Sequence, residues 1–235
     1  MSGAKVALVT GANKGIGYEI AAGLGALGHR VGVAAREEGR REAAVGKLRA
    51  EGVDAFGVAL DVTSDESVRA AAELVEERVG RLDVLVNNAG IGGAWPQDPT
   101  TLDLDVLRTV LDTNVFGVIR VTNALLPLLR RSAAPRIVNV SSNMGSLSLR
   151  TGPIMAAYAP SKTLLNAVTV QYARQLAGTG ILVNAACPGY VATDFTDHQG
   201  SRTPEQGAAT PLRLATRPAD GPSGSFFDDG GVVPW

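Results

Sequence analysis

Short apolar runs alternate with longer stretches of helical periodicity along nearly the whole chain, and this alternation narrows the fold more than any single motif. Val6-Ala-Leu-Val-Thr10 is apolar almost without interruption, as a parallel strand covered on both faces is. Residues 16–27 follow with Ile16, Ile20, Leu24 and Leu27 at helical spacing, and Gly28 supplies the left-handed residue that ends many helices. The pattern recurs with strands at 31–35, 55–60, 82–86, 136–140 and 181–185 and a short last strand at 224–228. Helices fall at 38–51, 63–79, 102–112, 114–130 and 158–177, the second of these opening on Thr63-Ser-Asp-Glu66 in the form of a capping box. Strand and helix taking turns, joined by right-handed crossovers, predicts an α/β fold: a doubly wound parallel sheet of about seven strands with helices on both faces, in a single domain over residues 1–235.

Composition closes off several other classes. Hydrophobic residues at 45% against 19% charged give enough core for such a domain and exclude a disordered chain. Lys and Arg number 22 and Asp and Glu 23, so nothing attracts nucleic acid or an anionic membrane in general. The single cysteine, Cys187, excludes an internal disulfide, reads as a packed small hydrophobe and suits a reducing, cytoplasmic setting. The apolar run at 6–9 is too short for a signal peptide or a membrane span. His29 and His198 stand apart from other ligand types, and no grouping has metal-ligand spacing.

In an open sheet of this kind ligands bind beyond the carboxyl ends of the strands, and the chemistry-bearing residues fall there. Gly11-x-x-x-Gly15-x-Gly17 lies between the first strand and its helix, where small residues let backbone N–H groups and the helix N-terminus approach a pyrophosphate; a tight turn is the plain alternative. Asp61, Asn87 and Ser142 each follow another strand. Tyr158 and Lys162, four apart, share one helix face, and an ammonium beside a phenol is expected to lower the phenol below its ordinary pKa of about 10. Taken alone, that pair reads equally as two surface residues. Ser141 and Ser142 point to opposite faces if the strand persists, so only one can serve a site.

Taken in order, Thr10-Gly-Ala-Asn-Lys-Gly-Ile-Gly17, Asn87-Asn-Ala-Gly90, Ser142, Tyr158-Ala-Pro-Ser-Lys162 and Pro188-Gly189 resemble the short-chain dehydrogenase/reductase family over nearly the whole chain. The stretch from Thr203 to Trp235 resembles its carbonyl-reductase branch. The resemblance implies a Rossmann domain with a catalytic set of Asn114, Ser142, Tyr158 and Lys162. In it Tyr158 is the general acid, Ser142 holds the carbonyl oxygen, and Lys162 stabilises phenolate and binds the nicotinamide ribose. Asn114 would hold a water leading from Lys162 to solvent, with an ordinary helix N-cap as its structural alternative. Cofactor contacts are implied for Gly11, Asn13, Lys14, Gly15, Ile16, Gly17, Arg36, Leu60, Asp61, Val62, Asn87, Ala89, Gly90, Pro188, Gly189, Val191 and Thr193, besides Tyr158 and Lys162. Asp61 would meet the adenine amino group, and Val191 and Thr193 the carboxamide and phosphates.

Charge after the second strand separates the two nicotinamide cofactors. Arg36 can offer a planar fork to an extra phosphate and Lys14 a second cation, so NADP(H) is expected; Glu37 reads as the solvated start of the next helix. The expected reaction is NADPH-dependent reduction of a ketone or aldehyde, a small-molecule carbonyl substrate. The alternatives are an NAD-dependent secondary-alcohol dehydrogenase and a non-catalytic, dinucleotide-sensing protein. The segment between Ser142 and Tyr158, which includes Arg150, lacks the large insertion of the monomeric animal carbonyl reductases. The helices at 114–130 and 157–177 are then free to meet a partner, and a homodimer or homotetramer is expected. A short polar loop at about 194–203 should leave an open pocket lined by Trp95, Met144, Met155, Tyr190 and Phe195.

Overall fold

Each apolar run forms a strand because helices cover it on both sides. In the computed structural model, which describes residues 4–149 and 151–235, so that Met1 to Gly3 and Arg150 lie outside the described residues, eight strands form one sheet. They are β1 (Val6–Thr10), β2 (Arg30–Ala35), β3 (Ala55–Ala59), β4 (Val84–Asn87), β5 (Arg136–Val140), β6 (Leu182–Ala186), β7 (Phe226–Asp228) and β8 (Gly231–Val232). Their order is β3-β2-β1-β4-β5-β6-β7-β8, every pair parallel except the last. The eighth strand corrects the expected seven. It is a two-residue return after the turn at 229–230, too brief for a period to register.

The winding direction reverses between β1 and β4, opening a crevice at their carboxyl ends. On one face α1 (Gly15–Ala26), α2 (Glu38–Ala50) and α7 (Pro204–Ala215) bury Ile20, Leu24, Leu48 and Leu214 against Val9, Val33 and Val86. On the other, α3 (Asp65–Val79), α5 (Gly117–Leu129) and α6 (Tyr158–Gln175) bury Val75, Val121, Leu125 and Ala173 against Leu8, Leu85 and Val183. The helix α7 is absent from the sequence reading although its start is marked. Pro204 occupies its first turn, and Thr203 and Gln206 form a reciprocal capping box.

The two helices expected at 102–112 and 114–130 are one continuous rod. A single π turn at 112–116 joins α4 (Leu104–Leu111) to α5, and Asn114 lies inside it rather than at a helix start. Behind the site a buried polar ladder fastens sheet to helices. Asn87 Nδ2 donates to Thr122 Oγ1 (3.1 Å) and to Asn139 Oδ1 (2.9 Å), its register partner on β5, and Asn139 Nδ2 donates to Thr169 Oγ1 (2.9 Å) on α6. Every member is satisfied, so the ladder sets the distance of α6 from the sheet instead of costing stability. Among the described residues no helix is long and apolar enough to cross a membrane.

Candidate active site

Ser142 leaves the end of β5 and caps a short 3-10 turn at 143–145, its Oγ accepting from Met144 N at 3.2 Å. The same hydroxyl stands near enough to the Tyr158 phenol at the start of α6 to favour its ionised form. One turn further, the buried Lys162 holds Nζ 5.6 Å from the centroid of the Tyr158 ring and donates to the Val140 carbonyl at 2.8 Å. Ser141 points the other way, as strand alternation requires, and its Oγ donates to Asn166 Oδ1 at 2.6 Å. Thus Ser142, Tyr158 and Lys162 converge beside the carboxyl end of β5.

Asn114 reaches the same region from the π turn. Its Oδ1 accepts from Ile91 N (2.8 Å) and its Nδ2 donates to Ile91 O (2.9 Å) and Ser161 Oγ (3.0 Å), which ties the rod to the β4 loop and to α6. It is fully buried, so the N-cap alternative is excluded. Only glycine fits comfortably at position 90: a Cβ there would lie 3.2 Å from Asn114 Oδ1 and 3.6 Å from Lys162 Nζ.

The electrostatics reverse one expectation. Burial pushes the Tyr158 phenol up to about 12, against the lowering effect of the Ser142 hydroxyl. Burial likewise brings the Lys162 ammonium down to about 8. Tyr158 as a whole residue is half-buried. Lys162 spends its hydrogen bond on a carbonyl, so desolvation of two neighbouring groups outweighs their mutual attraction. The free protein therefore holds a protonated phenol, ready to donate.

A pH dependence of stability follows. Below about pH 8 folded and unfolded chains both carry the Lys162 proton, and burying that charge costs stability. Between about 8 and 10.5 the folded chain has released the proton while the unfolded chain keeps it, so the cost is relieved and stability rises with pH. Urea unfolding followed from about pH 8 to about 9.5, the lower part of this window, should show the wild type gaining stability relative to Lys162→Met. Parallel profiles for the two proteins would mean that Lys162 titrates normally.

The glycine loop brings the main chain close around the start of α1. Gly11 and Gly15 adopt left-handed φ values of 64° and 56°. A Cβ on Gly17 would come within 2.4 Å of the Gly11 carbonyl oxygen and 2.5 Å of Asn88 Nδ2. Helix α1 has no acidic side chain in its first turn and no side-chain cap, leaving its N-terminal N–H groups for a phosphate. Asn13 and Ile16 are half-buried in this loop. Asp61 follows β3 between Leu60 and Val62, whose side chains are buried in the core. Burial works to raise its carboxyl, but hydrogen bonds from Thr63 and the charge of Arg36 outweigh that and hold it below the usual range.

Arg36 is exposed and, among the described residues, has no hydrogen bond or ion pair, whereas Glu37 pairs with Arg40 at 2.9 Å as a solvated helix start. Lys14 is not free: it pairs with Asp194 across the crevice. Asn87 commits its side chain to the buried ladder, leaving only main-chain groups toward a ligand. Ala89 and Gly90 continue past it, Ala89 N donating to Thr10 Oγ1 at 3.0 Å. Beyond β6, Pro188, Gly189 and Val191 lead to Thr193, whose Cγ2 stands 3.2 Å from where a Gly15 Cβ would be.

Three residues of the site escaped the sequence reading. Asn88 stitches the glycine loop to β4, its Nδ2 donating to Thr10 O (2.9 Å) and Gly11 O (3.3 Å). Buried Gln97 accepts at Oε1 from Ala157 N (3.0 Å) and Tyr158 N (3.2 Å), holding the start of α6 in place. Asp194 is the third. The expected open pocket is partly roofed: Phe195 lies against the Tyr158 ring with centroids 5.2 Å apart, and its ring reaches toward Gly92 near Met155. Trp95 and Tyr190 are exposed, and Met144 packs at Gly152 instead. Cys187 is buried, its Sγ accepts from Asn143 N at 3.2 Å, and burial pushes the thiol up, so it is inert packing. Among the described residues no group of His, Cys, Asp and Glu is arranged to hold a metal ion.

A family model described as short chain dehydrogenase matches residues 5–204. Short-chain dehydrogenase/reductase 1 of Saponaria officinalis is 33% identical over 292 residues, covering 98% of this chain and 96% of its own. Human (Homo sapiens) NADPH carbonyl reductase 1 is 35% identical over 279 residues, covering 100% of this chain and 99% of its own, so it carries segments that this shorter chain lacks. Among solved structures, an actinorhodin polyketide ketoreductase with NADPH superposes with a TM-score of 0.86 at 35% identity, covering 96% of this chain and 95% of that one.

Proposed function

The chain belongs to the short-chain dehydrogenase/reductase family, and we propose that it reduces a ketone or aldehyde to an alcohol with NADPH, Tyr158 acting as general acid. The observation that supports this reading is the convergence of Ser142 at the end of β5 with Tyr158 and Lys162 at the start of α6, Lys162 Nζ lying 5.6 Å from the Tyr158 ring centroid. Bound in the crevice, the cofactor supplies a hydride to the carbonyl carbon. Negative charge then grows on the carbonyl oxygen. Ser142 donates a hydrogen bond to that oxygen and Tyr158 gives it a proton, so the charge never stands unscreened. Lys162 stabilises the phenolate left behind and binds ribose hydroxyls, while Asn114 fixes the rod that walls the site. Incubating the protein with NADPH and a panel of aromatic ketones and diketones, and following loss of reduced nicotinamide, tests the activity directly.

The residues present fit this dinucleotide. The glycine loop with its uncapped helix, Asp61, and the main chain at 87–90 and 188–193 are the contacts we assign to it. Arg36, unpaired and at the end of β2, is the group we assign to the 2′-phosphate; NADP(H)-type relatives support the choice. Arg36→Ala should weaken NADPH binding by roughly 10- to 100-fold, the worth of a charge-assisted pair, and leave NADH binding nearly unchanged. Equal weakening of both cofactors would move selectivity away from Arg36.

We also propose a cytoplasmic homodimer or homotetramer built on α5 and α6. Phe116 and Leu164 are exposed beside these helices, which Tyr172 and Asn123 link through a 2.7 Å hydrogen bond. Light scattering behind size exclusion should give a multiple of the chain mass, and Phe116→Asp with Leu164→Asp should lower it. A monomeric wild type would refute the assembly while leaving the chemistry intact.

A further inference from the structure

At the amino ends of the strands, opposite the crevice, lies a second compartment of about 160 Å³. Lys5 precedes β1, Asp83 precedes β4, Arg136 opens β5 and Arg217 follows α7; all four line it, with Val84, Ala134 and Pro218 among the remaining wall. The positive side of this compartment is under-compensated. Arg136 is 97% buried by its 3% exposure, yet among the described residues it meets no carboxylate. Its Nε donates to Arg217 O (2.9 Å) and its Nη1 to Pro135 O (2.8 Å). The carbonyl end of α7 lends it partial negative charge, not a counter-ion. Arg217 Nε is buried with no hydrogen-bond partner, and the Arg217 guanidinium carbon lies over the Phe227 ring, 4.7 Å from its centroid, which leaves it without a counter-ion. The carbonyl of Lys5 accepts from Arg30 N (2.8 Å), but its exposed ammonium has no ion pair or hydrogen bond among the described residues.

Among the described residues Asp83 is the one carboxylate of the lining, and Arg81 is already its ion-pair partner. It accepts from Val6 N (2.7 Å), Arg81 Nε (3.1 Å) and Ser132 Oγ (2.6 Å). Three cations reaching one small compartment from three elements favour an anion that accepts from several directions at once. A tetrahedral oxyanion does so and a planar carboxylate does less well. We propose that this compartment is a binding site for a phosphate group, as inorganic phosphate or a small phosphate ester, held by Lys5, Arg136 and Arg217. The burial that lowers the Arg136 guanidinium from its ordinary range is the penalty such an anion relieves. The site lies apart from the crevice and is independent of the cofactor assignment.

Thermal unfolding at constant ionic strength tests it, with inorganic phosphate, glycerol 3-phosphate and acetate each set against chloride. A ligand present at about ten times its dissociation constant raises the midpoint of a chain this long by about 3–6 °C. That rise is expected with phosphate, in the wild type and in Arg36→Ala, whose substitution lies at the cofactor crevice. It should vanish in Lys5→Ala/Arg217→Ala, which keeps Arg136 and should retain wild-type turnover. A rise with glycerol 3-phosphate as large as with phosphate identifies an ester as the source, and a smaller one the free ion; either supports the site. No rise with phosphate, the same rise in the Lys5→Ala/Arg217→Ala protein, loss of the rise in Arg36→Ala, or an equal rise with acetate overturns it.

Discussion

Replacing Tyr158 by phenylalanine should lower kcat for carbonyl reduction by about 10²- to 10⁴-fold, the usual worth of a positioned proton donor. The substitution deletes one oxygen and little else. The ring contact with Phe195 at 5.2 Å and the approach of Lys162 to the ring face both survive. Since Ser142 also has Met144 N as a partner, its hydroxyl is not stranded. NADPH affinity should therefore stay within a few-fold of wild type, separating lost chemistry from lost folding. Ser142→Ala should cost less than Tyr158→Phe and combine with it sub-additively, because both act on one oxygen. Turnover by Tyr158→Phe at the wild-type rate would remove the phenol from the mechanism.

Gly17→Ala should nearly abolish cofactor binding and destabilise the fold by about 1–3 kcal/mol, the range for forcing atoms into a filled space. The effect is steric: a methyl group 2.4 Å from the Gly11 carbonyl oxygen and 2.5 Å from Asn88 Nδ2 must displace backbone. Displacement breaks the stitch between Asn88 and the carbonyls of Thr10 and Gly11 and tilts the start of α1 away from its phosphate. Gly46→Ala on α2 is the internal control, because a Cβ there meets nothing within 4 Å. It should stabilise by about 0.5–1 kcal/mol through helix propensity alone. Chemical unfolding and NADPH titration of both variants read the contrast. A Gly17→Ala protein that binds and unfolds as the wild type does would mean that the loop gives way freely.

The sheet was legible in the residues because it depends on local pattern. Strands covered on two faces leave apolar runs; the spacing of Tyr158, Lys162 and the glycines left a surface pair and a plain turn open, and only the resemblance joined them into one site. What stayed hidden depends on contacts distant along the chain. Helix α7 announces its start at Thr203 and Pro204, but apart from Leu214 its buried positions are small or polar residues and a proline, Gly207, Ala208, Thr210, Pro211 and Ala215, so no apolar period stands out. The Tyr158 and Lys162 titrations follow from burial, which no spacing reports. The Lys14 to Asp194 pair joins residues 180 positions apart. The resemblance singled out Asn114, with a helix start as the alternative, but its place inside a continuous rod was not readable, because an added residue in a turn leaves no mark in composition.

That added residue also sets how the rod can evolve. Five residues occupy the widened turn where regular winding would place about four, and every position after it is rotated accordingly. Deleting one of them would re-index the downstream half by about 100° and swing Val118, Val121 and Leu125 out of the interior they now fill. Length changes in this family member should therefore be tolerated in surface loops and rejected within these five positions, making the bulge a fixed ruler between the sheet and the proton donor.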